Sequence, residues 1–335
     1  MSLRIGVIGV GHLGKFHAEN YARLAERRGS GFQLAALCDP APAARELAQK
    51  FEVPFFSDYR ELAGKADAVS VAVPTGLHRE VGGFFLERGV HCMIEKPLAR
   101  STGEAEELCA LAAKSGAILQ VGHVERFNPI VRAAAPHFSR PRFIEAVRIS
   151  PYPFRSTDVG VTLDLMIHDI DLAVALADEE PCEVRAAGAP VFSPTEDVAN
   201  ARLEFPSGCV VNVSASRVSI KKERRLRIFQ DDGYFSLDLL ANEGVFIQKS
   251  DALKKGEIDP SKLPLASLGA AALAFQINKL IKRTVLKGDA TPALEAELGH
   301  FVACVREKRR PLVGGAEGLR ALRVAERVLA CMKRV

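Results

Sequence analysis

The chain has 335 residues, of which 48% are hydrophobic and 26% charged, with a net charge of +4. That length predicts two globular domains with ample core, and the mild positive charge fits a small acidic ligand but is no nucleic-acid signature. Seven cysteines without a C-x-x-C pair exclude a disulfide frame or a zinc knuckle, and no apolar run reaches the ~18 residues of a membrane span.

The first segment, "LRIGVIGVGHLGKFHAENYARLAE", opens with an apolar strand from Leu3 to Ile8. Gly9, Gly11 and Gly14 follow, with His12 and Leu13 in the same loop, and an amphipathic helix starts near Lys15. A second strand, "FQLAALCD", ends in Asp39. Strand, G-x-G-x-x-G turn, helix and acid-terminated strand form a dinucleotide-binding unit of the Rossmann kind. Gly9 permits the tight turn, Gly11 lets backbone approach a pyrophosphate, and Gly14 allows close helix–strand packing. Asp39 would accept from the ribose hydroxyls and repel a 2′-phosphate, so NAD is expected over NADP. The chain enters this strand with no apolar leader, which predicts a cytoplasmic protein.

Three further apolar runs read as strands. They end at Pro74-Thr75, at Glu95-Lys96-Pro97 and at Gly122-His123, and helical stretches separate them. This alternation predicts a doubly wound parallel sheet over residues 1–123, with ligands beyond the carboxyl ends of its strands. Pro74, Thr75, His78, Glu95, Lys96 and Pro97 lie at those ends and are expected at the cofactor; His78 would begin or cap a helix.

From residue 124 to 335 the pattern changes to short alternating strands with turn signals at "PSG" and "DDG". An α+β domain with a large, open, mainly antiparallel sheet is expected, covered on one face by a helix from Leu163 to Ala177. Further helices are expected over Leu265–Leu286, Thr291–Arg306 and about 315–333. In "LDLMIHDIDL", Asp164, His168 and Asp171 recur at i, i+4 and i+7, one face of a helix. They read as a catalytic face, as metal ligands completed by His123, or as a hydrogen-bonded core histidine with neighbouring acids. No further pair with metal spacing appears, so no metal is expected. "GHVERFNP" places Glu125, Arg126 and Asn128 just past a strand end, where they would bind sugar hydroxyls or a diphosphate, or pair at a hinge. "KKERRLR" reads as a solvated strand face.

"GVIGVGHLG", "CD", "PTGLH", "EKPLA", "GHVERFNP" and "DLMIHDID", in this order, resemble the Gfo/Idh/MocA family of NAD(P)-dependent sugar oxidoreductases over essentially the whole chain. The resemblance implies that Lys96 of E-K-P and the Asp164/His168 pair meet at the nicotinamide, and that Lys96-Pro97 is cis. It implies His168 as the base, Asp164 as its orienting partner or a substrate ligand, and Lys96 stabilising the alkoxide; a desolvated lysine as the base is the alternative. Many relatives carry more glycines before D-x-x-x-H, where only Gly160 stands here. Within the family, the chain is most similar to the UDP-N-acetylglucosamine 3-dehydrogenases of the lipid A 2,3-diamino-sugar route, and Arg126, Arg148 and Arg155 would suit a uridine diphosphate. Dehydrogenation of a free sugar or inositol, a non-catalytic NAD-binding regulator, and a glycoside-cleaving relative are the alternatives. A homodimer or homotetramer pairing through the C-terminal sheet is expected.

Overall fold

The computed structural model describes residues 2–152, 159–259, 261, 277 and 279–334. Two compact units divide the chain.

The first unit comprises Met1–Phe127, Ile170–Leu172 and Thr291–Ala330. Its strands are β1 (Leu3–Ile8), β2 (Phe32–Cys38), β3 (Phe55–Phe56), β4 (Ala68–Val71), β5 (His91–Glu95) and β6 (Leu119–Gly122). They form one parallel sheet in the order β3-β2-β1-β4-β5-β6. The order reverses at β1, which pairs with both β2 and β4, so the crevice beyond the ends of β1 and β4 is the natural ligand position. β4 and β6 are buried throughout, and their mostly apolar residues are interrupted only by the buried Ser70 and Gln120. The crossover helices are α1 (Gly14–Ala25), α2 (Arg45–Lys50), α3 (His78–Leu86) and α4 (Thr102–Ser115). α4 is bounded by local chemistry. Ser101 Oγ accepts from the Glu104 N–H at 3.3 Å, and Gly116 ends it at φ +72°.

The helix Ala293–Glu307 and the helix Gly315–Cys331, apart from Cys331 itself, fall in this unit, whereas the sequence pattern grouped them with residues 124–335. Leu298, Phe301, Val302 and Val305 join Ile5, Tyr21, Phe32 and Leu34 in one hydrophobic cluster. Apolar burial brings the chain back after a long excursion.

The second unit comprises Asn128–Asp169, Ala173–Ala290 and Cys331–Val335. Among the described residues its sheet has nine strands: β7 (Pro141–Ile149), β8 (Glu183–Ala189), β9 (Val198–Glu204), β10 (Val210–Ser216), β11 (Glu223–Gln230), β12 (Gly233–Asp238), β13 (Glu243–Lys249), β14 (Ile281–Lys287) and β15 (Met332–Arg334). The order is β14-β13-β12-β11-β7-β10-β9-β8-β15, antiparallel except where β10 meets β7 and β15 meets β8. Both expected hairpins form. Gly208, at φ +81°, turns β9 into β10, and Asp231-Asp232 link β11 to β12.

Two helix expectations are corrected here. Residues 281–287 pair with β13 as a strand, because Ile281, Thr284 and Val285 suit a pleated edge better than a helix face. Most of the remaining stretch from 265 lies outside the described residues. The C-terminal helix ends at Cys331, and Met332–Arg334 adds the short edge strand β15 beside β8. No helix among the described residues is long and apolar enough to cross a membrane.

Candidate active site

The glycine loop follows β1 directly. A Cβ on Gly9 would lie 2.7 Å from the backbone of Ala72, and one on Gly14 would lie 1.7 Å from the Gly9 carbonyl oxygen. These two glycines are therefore compelled by packing. A Cβ on Gly11 would meet nothing within 4 Å, so the loop leaves open space there. No side chain caps the first turn of α1, whose N–H groups and positive dipole end suit a pyrophosphate. Asp39 accepts from the Val10 and Ala41 N–H groups at 2.6 and 2.8 Å. A carboxylate has about four acceptor sites, so some remain for a ribose diol. A cavity of about 330 Å³ lies beside it, lined by Gly9, Pro40, Tyr59, Arg60 and Leu77 among others. These features fit a dinucleotide. His12 and Leu13 stand exposed on the loop.

Pro74 and Thr75 open a short 3-10 turn before α3. His78 is buried, with ring nitrogens 2.9 Å from the Pro97 carbonyl oxygen and 3.0 Å from that of Val73. Burial pushes its pKa down. It ties the Lys96-Pro97 turn to the end of β4, a bracing role in the cofactor region. The Lys96-Pro97 peptide bond is cis, as the resemblance implied.

Behind Lys96 lies a buried polar chain that sequence reasoning missed. Ser70 Oγ is 2.7 Å from His17 Nδ1, and His17 Nε2 is 3.0 Å from Glu95 Oε1. Glu95 Oε2 accepts from the Lys96 N–H at 3.3 Å. Gly122 makes room, since a Cβ there would sit 2.9 Å from the Glu95 carboxylate. Burial alone would raise the Glu95 pKa. The hydrogen bond from His17 and the charges of His17, Lys96 and His78 outweigh it and hold the carboxyl below its usual range.

Of the residues after β6, Glu125 is buried, and Arg126 Nε lies 3.6 Å from Asp171 Oδ2. Asp171 thus pairs with Arg126, and it stands three residues after His168 in the same α-helix. Asn128 is committed structurally: its Oδ1 accepts from the Ile130 N–H and its Nδ2 donates to the Leu239 carbonyl, both at 3.1 Å. Arg155 lies outside the described residues.

In the second unit Asp164 falls within a π-helical turn, Thr162–Met166, and His168 in the α-helix Ile167–Ala177 that follows. Both are half-buried. The wider turn inserts an extra residue, so the even i, i+4 spacing of a straight α-helix does not describe their relation. Arg148 is paired with Asp169, which corrects its expected role at a diphosphate.

Residues 3–123 match the model for an oxidoreductase family with an NAD-binding Rossmann fold, and residues 131–236 match that for the GFO/IDH/MocA C-terminal domain. The chain belongs to the Gfo/Idh/MocA oxidoreductase family. NAD is the cofactor of its Rossmann domain. Among relatives within this family, UDP-N-acetylglucosamine 3-dehydrogenase from Acidithiobacillus ferrooxidans is 40% identical over 242 residues, 72% of this chain and 75% of that one. The solved structure of that organism's enzyme, GnnA, superimposes with a TM-score of 0.86 at 33% identity, covering 99% of this chain and 98% of the other. The scyllo-inositol 2-dehydrogenase (NAD(+)) of Bacillus subtilis is 27% identical over 331 residues, 93% of this chain and 88% of its own. The chain is an NAD-dependent dehydrogenase of this family.

Proposed function

We propose that this dehydrogenase oxidises the C3 hydroxyl of a nucleotide sugar, UDP-N-acetylglucosamine or a close analogue, to the 3-keto sugar. The 40% identity to an enzyme of that name carries the reading. The presence of Lys96, Asp164 and His168, the residue types the reaction needs, supports it.

Bound NAD supplies the hydride acceptor. His168 takes the hydroxyl proton as the hydride leaves the same carbon, so two electrons and two hydrogens are accounted for. Asp164 holds the imidazole and stabilises its charged form. The Lys96 ammonium, on a residue whose backbone N–H donates to the buried Glu95 carboxylate, stabilises negative charge on the reacting oxygen. Glu125 and Arg126 bind sugar or diphosphate oxygens. The 3-keto product suits a transaminase that installs a second amine, as in lipid A diamino sugars. We place the enzyme in the cytoplasm as a homo-oligomer. The open face of the nine-stranded sheet carries Phe143, Phe229, Tyr234 and Val285, the last 71% exposed, and such a patch calls for a cover.

The test is NADH formation with UDP-N-acetylglucosamine. His168→Ala should lower kcat about 10²–10⁴-fold, and Lys96→Met about 10²–10³-fold, with NAD still bound. Turnover of free inositol or glucose without turnover of nucleotide sugars would overturn the substrate assignment.

A further inference from the structure

The entry to the site helix is held by a residue far away in sequence. The Val161 N–H donates to the Glu196 carbonyl oxygen at 2.9 Å, and the Thr162 N–H donates to Glu196 Oε1 at 3.1 Å. One residue thus satisfies two N–H groups at this helix start and sets a carboxylate at its positive end. Gly160 completes the fit, since a Cβ there would sit 2.0–2.2 Å from the carboxyl atoms of Glu196. The lone glycine before the D-x-x-x-H motif therefore has a local reason.

Glu196 is itself anchored. Asp197 Oδ2 accepts from the N–H groups of Val191, Phe192 and Ser193 at 2.8, 2.6 and 2.9 Å. Asp197 Oδ1 accepts from Arg217 Nε and Ser193 Oγ, both at 2.7 Å. Arg217 is wholly buried, and its Nη1 donates to the Val159 carbonyl at 2.7 Å. One guanidinium therefore ties the loop bearing Glu196 to the strand of chain entering the helix. Seven residues after Thr162, the Arg148–Asp169 pair pins the helix again.

The π turn lies between these two anchors, and Asp164 lies in it. A π turn is an uncommon conformation that needs support from its surroundings. Were it to relax to α geometry, the residues before it would rotate by about 100° relative to those after it. Asp164 and His168 would then change their relation.

We infer that Glu196 is a positioning residue: through Thr162, and with Gly160 as its seat, it fixes the π turn that sets Asp164 against His168. The inference rests on the dehydrogenase reading above.

The experiment compares Glu196→Ala, Glu196→Gln, Gly160→Ala and the Gly160→Ala/Glu196→Ala double variant of the full chain. It measures kcat and KM with UDP-N-acetylglucosamine, the NAD Kd by fluorescence quenching, and Tm. Glu196→Ala should lose about 10–100-fold in kcat, the scale of an ångström misplacement, with NAD Kd within about 2-fold. Glu196→Gln keeps an acceptor oxygen for Thr162 and should recover to within about 3-fold of wild type. Gly160→Ala alone should lose as much as Glu196→Ala, yet add less than about 3-fold to it, because the methyl then meets no carboxylate. Unchanged kcat in Glu196→Ala, a glutamine variant as poor as alanine, or losses that multiply in the double variant would each overturn the inference. Wild-type protein that binds NAD but oxidises no sugar would instead sink the dehydrogenase reading, and this inference with it.

Discussion

Arg148 and Asp169 meet as a two-pronged ion pair, Nε to Oδ2 at 2.7 Å and Nη2 to Oδ1 at 2.8 Å, with 2% and 3% of their surfaces exposed. The pair joins β7 to the helix immediately beside His168. Both charges have left water, so neither tolerates losing the other. Arg148→Met should destabilise the protein by about 3–5 kcal/mol, because a buried carboxylate is left uncompensated. Arg148→Met/Asp169→Leu should regain most of that loss, since an apolar pair of similar volume replaces an ion pair at little cost. Urea unfolding of the three proteins checks both statements. A single variant as stable as wild type would show that the pair does not carry the packing assigned to it.

The glycine loop separates folding from binding. Gly14→Ala drives a methyl into the Gly9 carbonyl and should cost about 1–3 kcal/mol or more in stability. Gly11→Val meets open space, so the Tm of the NAD-free protein should stay within the change typical of surface substitutions, about 0.5 kcal/mol. Its side chain would instead occupy the path of the pyrophosphate, and NAD affinity should fall at least about tenfold. Differential scanning fluorimetry with and without NAD separates the two. An apo Tm that falls equally in both variants would reject the distinction.

Much of this was legible in the residues because the deciding physics is local. Gly9, Gly11, Gly14 and Asp39 lie within one strand–turn–helix–strand unit, so their spacing alone specifies the dinucleotide cradle. The hairpins at Gly208 and Asp231-Asp232 are likewise written in turn chemistry. What escaped depends on contacts that sequence spacing does not encode. His17 meets Glu95 across β4, on two segments far apart in the chain. The only hint was a histidine three residues after Gly14, on the helix that follows the loop. Leu298 and Phe301 return to the first core only because that core has an uncovered face to fill. The π turn at Asp164 is invisible to a 3.6-residue periodicity, and at Ile281–Lys287 pairing with β13 overrode a plausible helical pattern.

Glu297 is 0% exposed, and neither of its carboxyl oxygens has a hydrogen-bond partner among the described residues. Burial, and then the charges of Glu95, Asp171 and Glu125, push its pKa well above 4.5. It therefore keeps its proton beside Glu95, whose carboxyl is held below its usual range. The sign of the pH dependence follows. In the unfolded chain this carboxyl ionises near 4.5, whereas in the folded protein it holds its proton to much higher pH. Its contribution to stability is complete below the unfolded value and is lost as pH rises towards the folded one. Glu297→Gln keeps the shape and the neutral charge but cannot ionise. The variant should match wild type near pH 5 and become progressively more stable than wild type as pH rises towards 9, read as a widening gap in Tm. A gap that stays constant across that range, or that widens towards acid instead, would mean that Glu297 is ionised in the folded protein.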